Sequence, residues 1–217
     1  MKAATRAVCT ALAGAVLSAC SHASAPQAPA PRIDRQVRDE IRSGVRAYHQ
    51  RAYSNALSHF NRALALDPHD WDARYDRAVT EERLRAFGRS EADLREVVNA
   101  RPQWGAARLH LAAAQYRAHD FSAAARNFDI VLRDDSKAWN VWLDDGASYY
   151  QLHRYGDARR RLARALDLAP RSGRAHFWLG LTYRRLGQTS KARGELALAA
   201  HSRDRGVRDA ARRMLKT

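Results

Sequence analysis

The strongest constraint on this chain is a period. Shifting residues 37–206 by 34 places lays the same pattern over itself without a gap. The pattern is clearest at 139–172, WNVWLDDGASYYQLHRYGDARRRLARALDLAPRS, which reads as two short amphipathic helices joined by a tight turn. One column holds Gly44, Ala78, Ala112, Gly146 and Gly180, and a second holds Ala56, Ser90, Ala124, Ala158 and Ala192. A third holds Phe60, Leu94, Phe128, Leu162 and Leu196, and a fourth Ala63, Val97, Val131, Ala165 and Ala199. The last holds Pro68, Pro102, Ser136, Pro170 and Asp204. Small residues let paired helices approach closely, and the large apolar residue fills the gap beside them. A proline cannot continue a helix, so it forces the next turn.

A 34-residue unit with small, small, large, small and proline at these places resembles the tetratricopeptide repeat. The resemblance implies an all-α fold. It would be a right-handed superhelical solenoid of five helix-turn-helix repeats, 37–70, 71–104, 105–138, 139–172 and 173–206. Repeats four and five carry Gly-Ala-Ser-Tyr (146–149) and Gly-Leu-Thr-Tyr (180–183), as the family pattern asks. Repeat two departs from it with Arg77 and Glu81 at places for apolar residues, and repeat three lacks the terminal proline. Turns are expected near 50–53, 67–71, 86–89, 101–104, 118–121, 134–138, 153–156, 170–173 and 186–189. Phe87-Gly88-Arg89, Arg154-Tyr155-Gly156 and Leu186-Gly187-Gln188 mark three of those inside repeats. VRDAARRMLKT (207–217) is expected to form a last helix. Its face of Val207, Ala210, Ala211, Met214 and Leu215 would cap the final repeat, since an open solenoid end exposes apolar surface.

The N-terminus reads differently. Lys2 and Arg6 precede an apolar run, Ala7 to Val16, too short to span a membrane comfortably, and then Leu17-Ser18-Ala19-Cys20. This resembles the lipobox of bacterial lipoproteins, which implies a leader at 1–19 and lipid attachment at Cys20. Ordinary secretion with cleavage near Ala23 or Ala25 is the alternative. Either reading implies export, and under the lipoprotein resemblance Ser21, in place of the aspartate of inner-membrane retention, implies the outer membrane. Residues 20–32 would be the lipidated cysteine and a Ser/Ala/Pro linker, and the repeats would begin at about Ile33. With Cys9 in the leader, the mature chain has no disulfide framework.

The formal charge of +15 is uneven. Residues 37–138 carry 17 basic against 15 acidic residues, while 139–217 carry 17 against 7. The C-terminal half is the electropositive end. The run Arg159-Arg160-Arg161 reads as a solvated outer face. Export argues against nucleic acid as a partner.

No glycine-rich phosphate loop, zinc motif or nucleophile elbow is present, and the nine histidines are scattered. Asp144-Asp145 are neighbours that point apart on a helix, and Asp134-Asp135 sit in a turn where aspartate commonly hydrogen-bonds backbone, so neither makes an acid/base pair. The expectation is a protein that is not an enzyme and needs no cofactor or metal. In the tetratricopeptide family the first helix of each repeat lines a groove. By register, the residues carried onto that groove are Tyr48, Tyr75, Leu109, Tyr116, Arg117, Asn140, Leu143, Tyr150, Arg174, Phe177, Arg184 and Arg185. Tyrosine supplies contact area with a polar tip, and arginine a fork for carboxylates. The implied partner is another envelope protein or peptide, with acidic groups toward Arg174, Arg184 and Arg185. The chaperone-binding clamp of the family is missing, because Ile41 and Val45 stand at its places. Assistance in pilus or secretion-system assembly is the role the layout resembles. An adaptor for cell-wall hydrolases or synthases is the second reading, and an enzyme subunit a distant third.

Overall fold

The computed structural model describes residues 31–134 and 137–216. The leader, Cys20, most of the linker, Asp135 and Ser136 lie outside the described residues. Within them the chain is all helical: α1 (Pro31–His49), α2 (Tyr53–Leu66), α3 (Trp71–Arg83), α4 (Phe87–Ala100), α5 (Gly105–Arg117), α6 (Phe121–Asp134), α7 (Trp139–Gln151), α8 (Tyr155–Leu168), α9 (Gly173–Arg185), α10 (Thr189–Ala199) and α11 (Arg205–Leu215). Successive helices pair as hairpins, and each hairpin packs on the next. No described helix is long and apolar enough to cross a membrane.

The columns read from the sequence form the seam of each hairpin. Phe60, Leu94, Phe128, Leu162 and Leu196 are all buried, and the small residue of the same repeat faces each of them. A Cβ placed on Gly44 would meet the Phe60 ring at 2.7 Å, and one on Gly146 would meet Leu162 Cγ at 2.7 Å. Repeats two and three carry buried Ala78 and Ala112 at that place.

The turn inside each repeat is set by backbone conformation. Arg51, Arg85, His119, His153 and Gly187 recur at the same 34-residue spacing, and all have positive φ, from 59° to 73°. At each, two amides reach back to the helix end. In repeat two, Arg85 N–H donates to the Glu82 carbonyl at 3.1 Å and Ala86 N–H to the Glu81 carbonyl at 2.9 Å. This is the Schellman closure, which satisfies carbonyls left open at a helix C-terminus. The turns in repeats two and four therefore lie at 84–86 and 152–154. Phe87 and Tyr155, expected in turns, instead open helices. Two further boundaries differ from expectation. Helix α1 starts at Pro31, inside the expected linker, because proline suits a first helical turn. Helix α11 starts at Arg205, because the Asp204 side chain accepts from Val207 N–H and caps it. It packs on α9 and α10 through Ala211, Val207, Met214 and Leu215.

A polar seam runs beside the apolar one. Residues 59, 93, 127, 161 and 195 occupy one place on the second helices, and each pairs with the first helix of its own repeat. His59 Nδ1 meets Glu40 at 2.7 Å, and His176 Nδ1 meets Glu195 at 2.7 Å. Arg108 and Gln115 both hydrogen-bond Asn127. Arg77 forks onto Asp93 at 2.6 and 2.7 Å, so this departure from the family pattern is paired within its own hairpin. Arg161 lies 3.2 Å from buried Asp145 and 2.5 Å from Asp129, and its guanidinium sits over the rings of Trp142 and Tyr149. Arg161 is thus part of the seam, which corrects its placement on a solvated face; Arg159 and Arg160 are exposed.

Glu81 is less well served. It is 4% exposed, Arg89 lies 3.5 Å from one oxygen, and the other oxygen is buried without a hydrogen bond. Burial, aided by Asp93 and opposed by Arg77 and Arg89, pushes its carboxyl up to about 7. An unfolded glutamate ionises near 4.5, so folding takes up a proton between the two values. Its favourable contribution is complete below the unfolded value and is lost as pH rises through the folded one. Glu81→Gln, which keeps the shape without the charge, should match the native chain at pH 4. At pH 8 it should be more stable by roughly 1–3 kcal/mol in urea unfolding. Equal stability at both pH values would show that Glu81 is not strained by ionisation.

Candidate partner groove

Which wall of the stack is concave follows from which helices meet. First helices touch their counterparts in the next repeat, α1 with α3, α3 with α5, α5 with α7 and α7 with α9, whereas second helices do not. The first helices therefore lie on the shorter, inner wall. The residues carried onto the groove from the sequence sit on these helices.

A ladder of polar contacts crosses that wall from each repeat to the next. Arg83 Nε donates to the Tyr48 hydroxyl at 2.8 Å, and Arg185 Nε to the Tyr150 hydroxyl at 3.4 Å. Arg117 lies 3.5 Å from Glu82, and Tyr116 hydrogen-bonds Gln151. Each measured rung joins residues 35 apart, one repeat plus one residue. Positions 48, 82, 116 and 150 thus meet positions 83, 117, 151 and 185 of the following repeat.

The remaining positions divide by burial. Tyr48, Tyr75, Leu109, Tyr116, Tyr150 and Phe177 are half-buried and pack against the core clusters while keeping one side outward. Tyr75 lies against Trp104 with ring centres 4.7 Å apart, and Tyr150 meets Trp178 edge-on at 5.3 Å. Burial raises the Tyr75 and Tyr116 hydroxyls above their usual range. Arg117 also lies over the Phe87 ring. Asn140, Arg174, Arg184 and Arg185 are exposed. Leu143 is a correction: it is 0% exposed, enclosed in the cluster with Leu162 and Leu179 against which Tyr150 and Trp178 pack, so it presents nothing to a partner.

Another column on this wall escaped the sequence reading: Arg42, Asp76, His110, Asp144 and Trp178. His110 Nδ1 lies 3.1 Å from Glu82, and Arg174 reaches Asp144 at 3.3 Å. Burial raises the Asp144 carboxyl, while Arg174 and Arg117 oppose the shift. The signal is a column with a 34-residue period, which the adjacent pair Asp144-Asp145 obscures. The described residues include no group of three or more His, Cys, Asp or Glu placed to hold a metal ion. The wall offers aromatic faces, guanidinium groups and the half-buried carboxylates of Asp76, Glu82 and Asp144, a set suited to binding polypeptide.

The family model for the tetratricopeptide repeat matches residues 42–107 and 143–208. The chain belongs to the tetratricopeptide repeat family. Among solved structures, this tetratricopeptide chain is similar to the 41-end form of MamA from Desulfovibrio magneticus RS-1, with a TM-score of 0.73 and 16% identity, over 78% of this chain and 97% of that one. It is also similar to a second MamA crystal structure, with a TM-score of 0.72 and 15% identity, over 76% of this chain and 91% of that one. A third is YrrB, a tetratricopeptide protein with an unusual peptide-binding site, at TM-score 0.72 and 14% identity, covering 83% and 97% of the two chains. At these identities the likeness is one of fold. A search of the curated proteins by sequence gives no match.

The tetratricopeptide wall makes a distinction that can be measured. The Tyr150 ring is packed, but its hydroxyl is engaged by exposed Arg185. Tyr150→Phe should change stability by no more than about 0.5 kcal/mol, as expected for a surface rung. Tyr150→Ala should cost about 2 kcal/mol in urea unfolding through the lost packing. Equal costs for the two would place the stability in the hydroxyl.

Proposed function

We propose that this chain is a non-catalytic scaffold that holds another polypeptide in its tetratricopeptide groove at the bacterial cell envelope. The observation that carries the reading is the inner wall itself. Its half-buried Tyr48, Tyr116 and Tyr150 are fixed by the inter-repeat ladder, and its exposed guanidinium groups collect toward Arg174, Arg184 and Arg185. Pre-set side chains lose little freedom on binding, which favours affinity. The peptide-binding site of YrrB is support of the same kind, from a chain that shares the fold.

The envelope part of the proposal rests on the N-terminal sequence. Cys20 would be lipidated after removal of residues 1–19, and residues 21–30 would hold the solenoid off the outer membrane on its periplasmic side. The layout of anchor, linker and solenoid fits an assistant in pilus or secretion-system assembly.

Capture from envelope extracts tests the whole. Native protein, Cys20→Ala and the groove variant Arg174→Glu/Arg185→Glu would each be expressed, fractionated and affinity-purified under gentle crosslinking. Cys20→Ala should leave the membrane fraction yet keep its captured polypeptide. The groove variant should stay on the membrane and lose at least about tenfold of the captured polypeptide, since like charges now face the acidic groups of the partner. Unchanged fractionation of Cys20→Ala would remove the anchor from the account. Undiminished capture by the groove variant would remove the basic end of the groove.

A further inference from the structure

Asp76 stands apart among the carboxylates of the inner wall. It lines a recess of about 180 Å³ with Val45, Tyr48, His49, Phe60 and Val79. Burial, with Asp72 and Asp70 nearby, pushes its carboxyl up to about 6, and no cation among the described residues acts on it. In a chain of net charge +15 that is an unusual position for a half-buried acid. Arg83, on the same wall, donates to the Tyr48 hydroxyl and is not among the groups acting on Asp76.

The solenoid contains its own control. Asp144 occupies the place of Asp76 two repeats on, and there the chain supplies the missing charge: Arg174 lies 3.3 Å away, 30 residues downstream. Thirty residues downstream of Asp76 stands Ala106, which is exposed and reaches nowhere. The same carboxylate position is therefore built twice, once paired with a guanidinium from the next repeat, with Arg117 also acting on it, and once with no cation acting on it. A buried or half-buried carboxylate in an apolar cup gains most from a planar, weakly hydrated cation that forks onto both oxygens. Tyr48 lines the same recess, its ring already carrying the Arg83 guanidinium at 5.9 Å from the ring centre.

We propose that the Val45–Tyr48–Asp76–Val79 recess is a binding site for an arginine side chain presented by the polypeptide that occupies the groove. The site deepens the scaffold reading and takes its biological occupant from it. The partner would then lie along the wall with arginine over repeats one and two and acidic residues toward Arg174 and Arg185. The two ends of the groove read opposite charges, which fixes the direction of the bound segment.

The test uses the full folded chain and a small probe, so that it reads the recess whether or not the groove holds a polypeptide. N-acetyl-arginine amide would be titrated into isotope-labelled protein at constant ionic strength and followed by NMR. N-acetyl-citrulline amide, its uncharged counterpart, is the comparison. Saturable shifts are expected at Val45, Asp76 and Val79 with the arginine derivative and not with citrulline. Asp76→Asn should weaken binding at least about tenfold, the scale set by one charge-assisted fork. Ala106→Arg should abolish it in a chain that stays folded, because its own guanidinium then pairs with Asp76 as Arg174 pairs with Asp144. Absence of a saturable shift in the native chain, equal binding of citrulline, or undiminished binding by either variant would overturn the proposal. Loss of polypeptide capture with the recess intact would instead count against the scaffold reading.

Discussion

The whole stack depends on how closely the two helices of each repeat approach. A glycine or alanine on the first helix faces a phenylalanine or leucine on the second, and the large side chain lies where a longer neighbour would have put a methyl group. At Gly180 an added Cβ would meet Leu196 Cγ at 2.8 Å. That contact closes each hairpin, so the 34-residue hairpins stack as equal units and the apolar core runs between neighbours. Equal units also hold the first helices against one another on one side of the stack. The inner wall is a consequence of the clasp, not an independent feature.

Two polar systems then share the work of holding register. The seam inside each hairpin pairs one second-helix residue with a first-helix partner, and it does so with different chemistry each time: histidine with glutamate, arginine with aspartate, asparagine with arginine and glutamine. Buried polar groups are costly unless paired, so a mismatch of neighbours within a hairpin would leave charges unmet. The ladder on the inner wall links repeat to repeat. It engages the hydroxyls and several guanidinium groups that the sequence presents as free for a partner. Among the described residues the wall keeps packed aromatic faces, exposed guanidinium groups around Arg174, and at Asp76 a half-buried carboxylate on which no cation acts.

The hairpin order and the apolar columns were legible in the sequence because each column repeats one physical requirement five times. The turns were less so. Four of the five positive-φ positions hold arginine or histidine, so no glycine marked the turns at Arg85 and His153, and Phe87 and Tyr155 were assigned one step outside their helices. Arg77 and Glu81 looked like flaws in repeat two because their partners, Asp93 and Arg89, lie on the other helix. The groove positions followed from register, but register does not report depth. Leu143 shares a column with half-buried Tyr75 and Leu109, yet it disappears beneath its neighbours. The ladder needed two columns to be read as one, offset by one residue, and that offset follows from the superhelical geometry.

The clasp can be measured without any partner. Gly146→Ala places a methyl group against Leu162, whereas Gly194→Ala adds one inside α10 where nothing lies within 4 Å. Urea unfolding of the two variants beside the native chain is the direct comparison. The account predicts a loss of about 1–3 kcal/mol for Gly146→Ala, from overpacking. It predicts a gain of about 0.5–1 kcal/mol for Gly194→Ala, from helix propensity alone. If Gly146→Ala were as stable as Gly194→Ala, close approach at that column would not be what holds the repeats together.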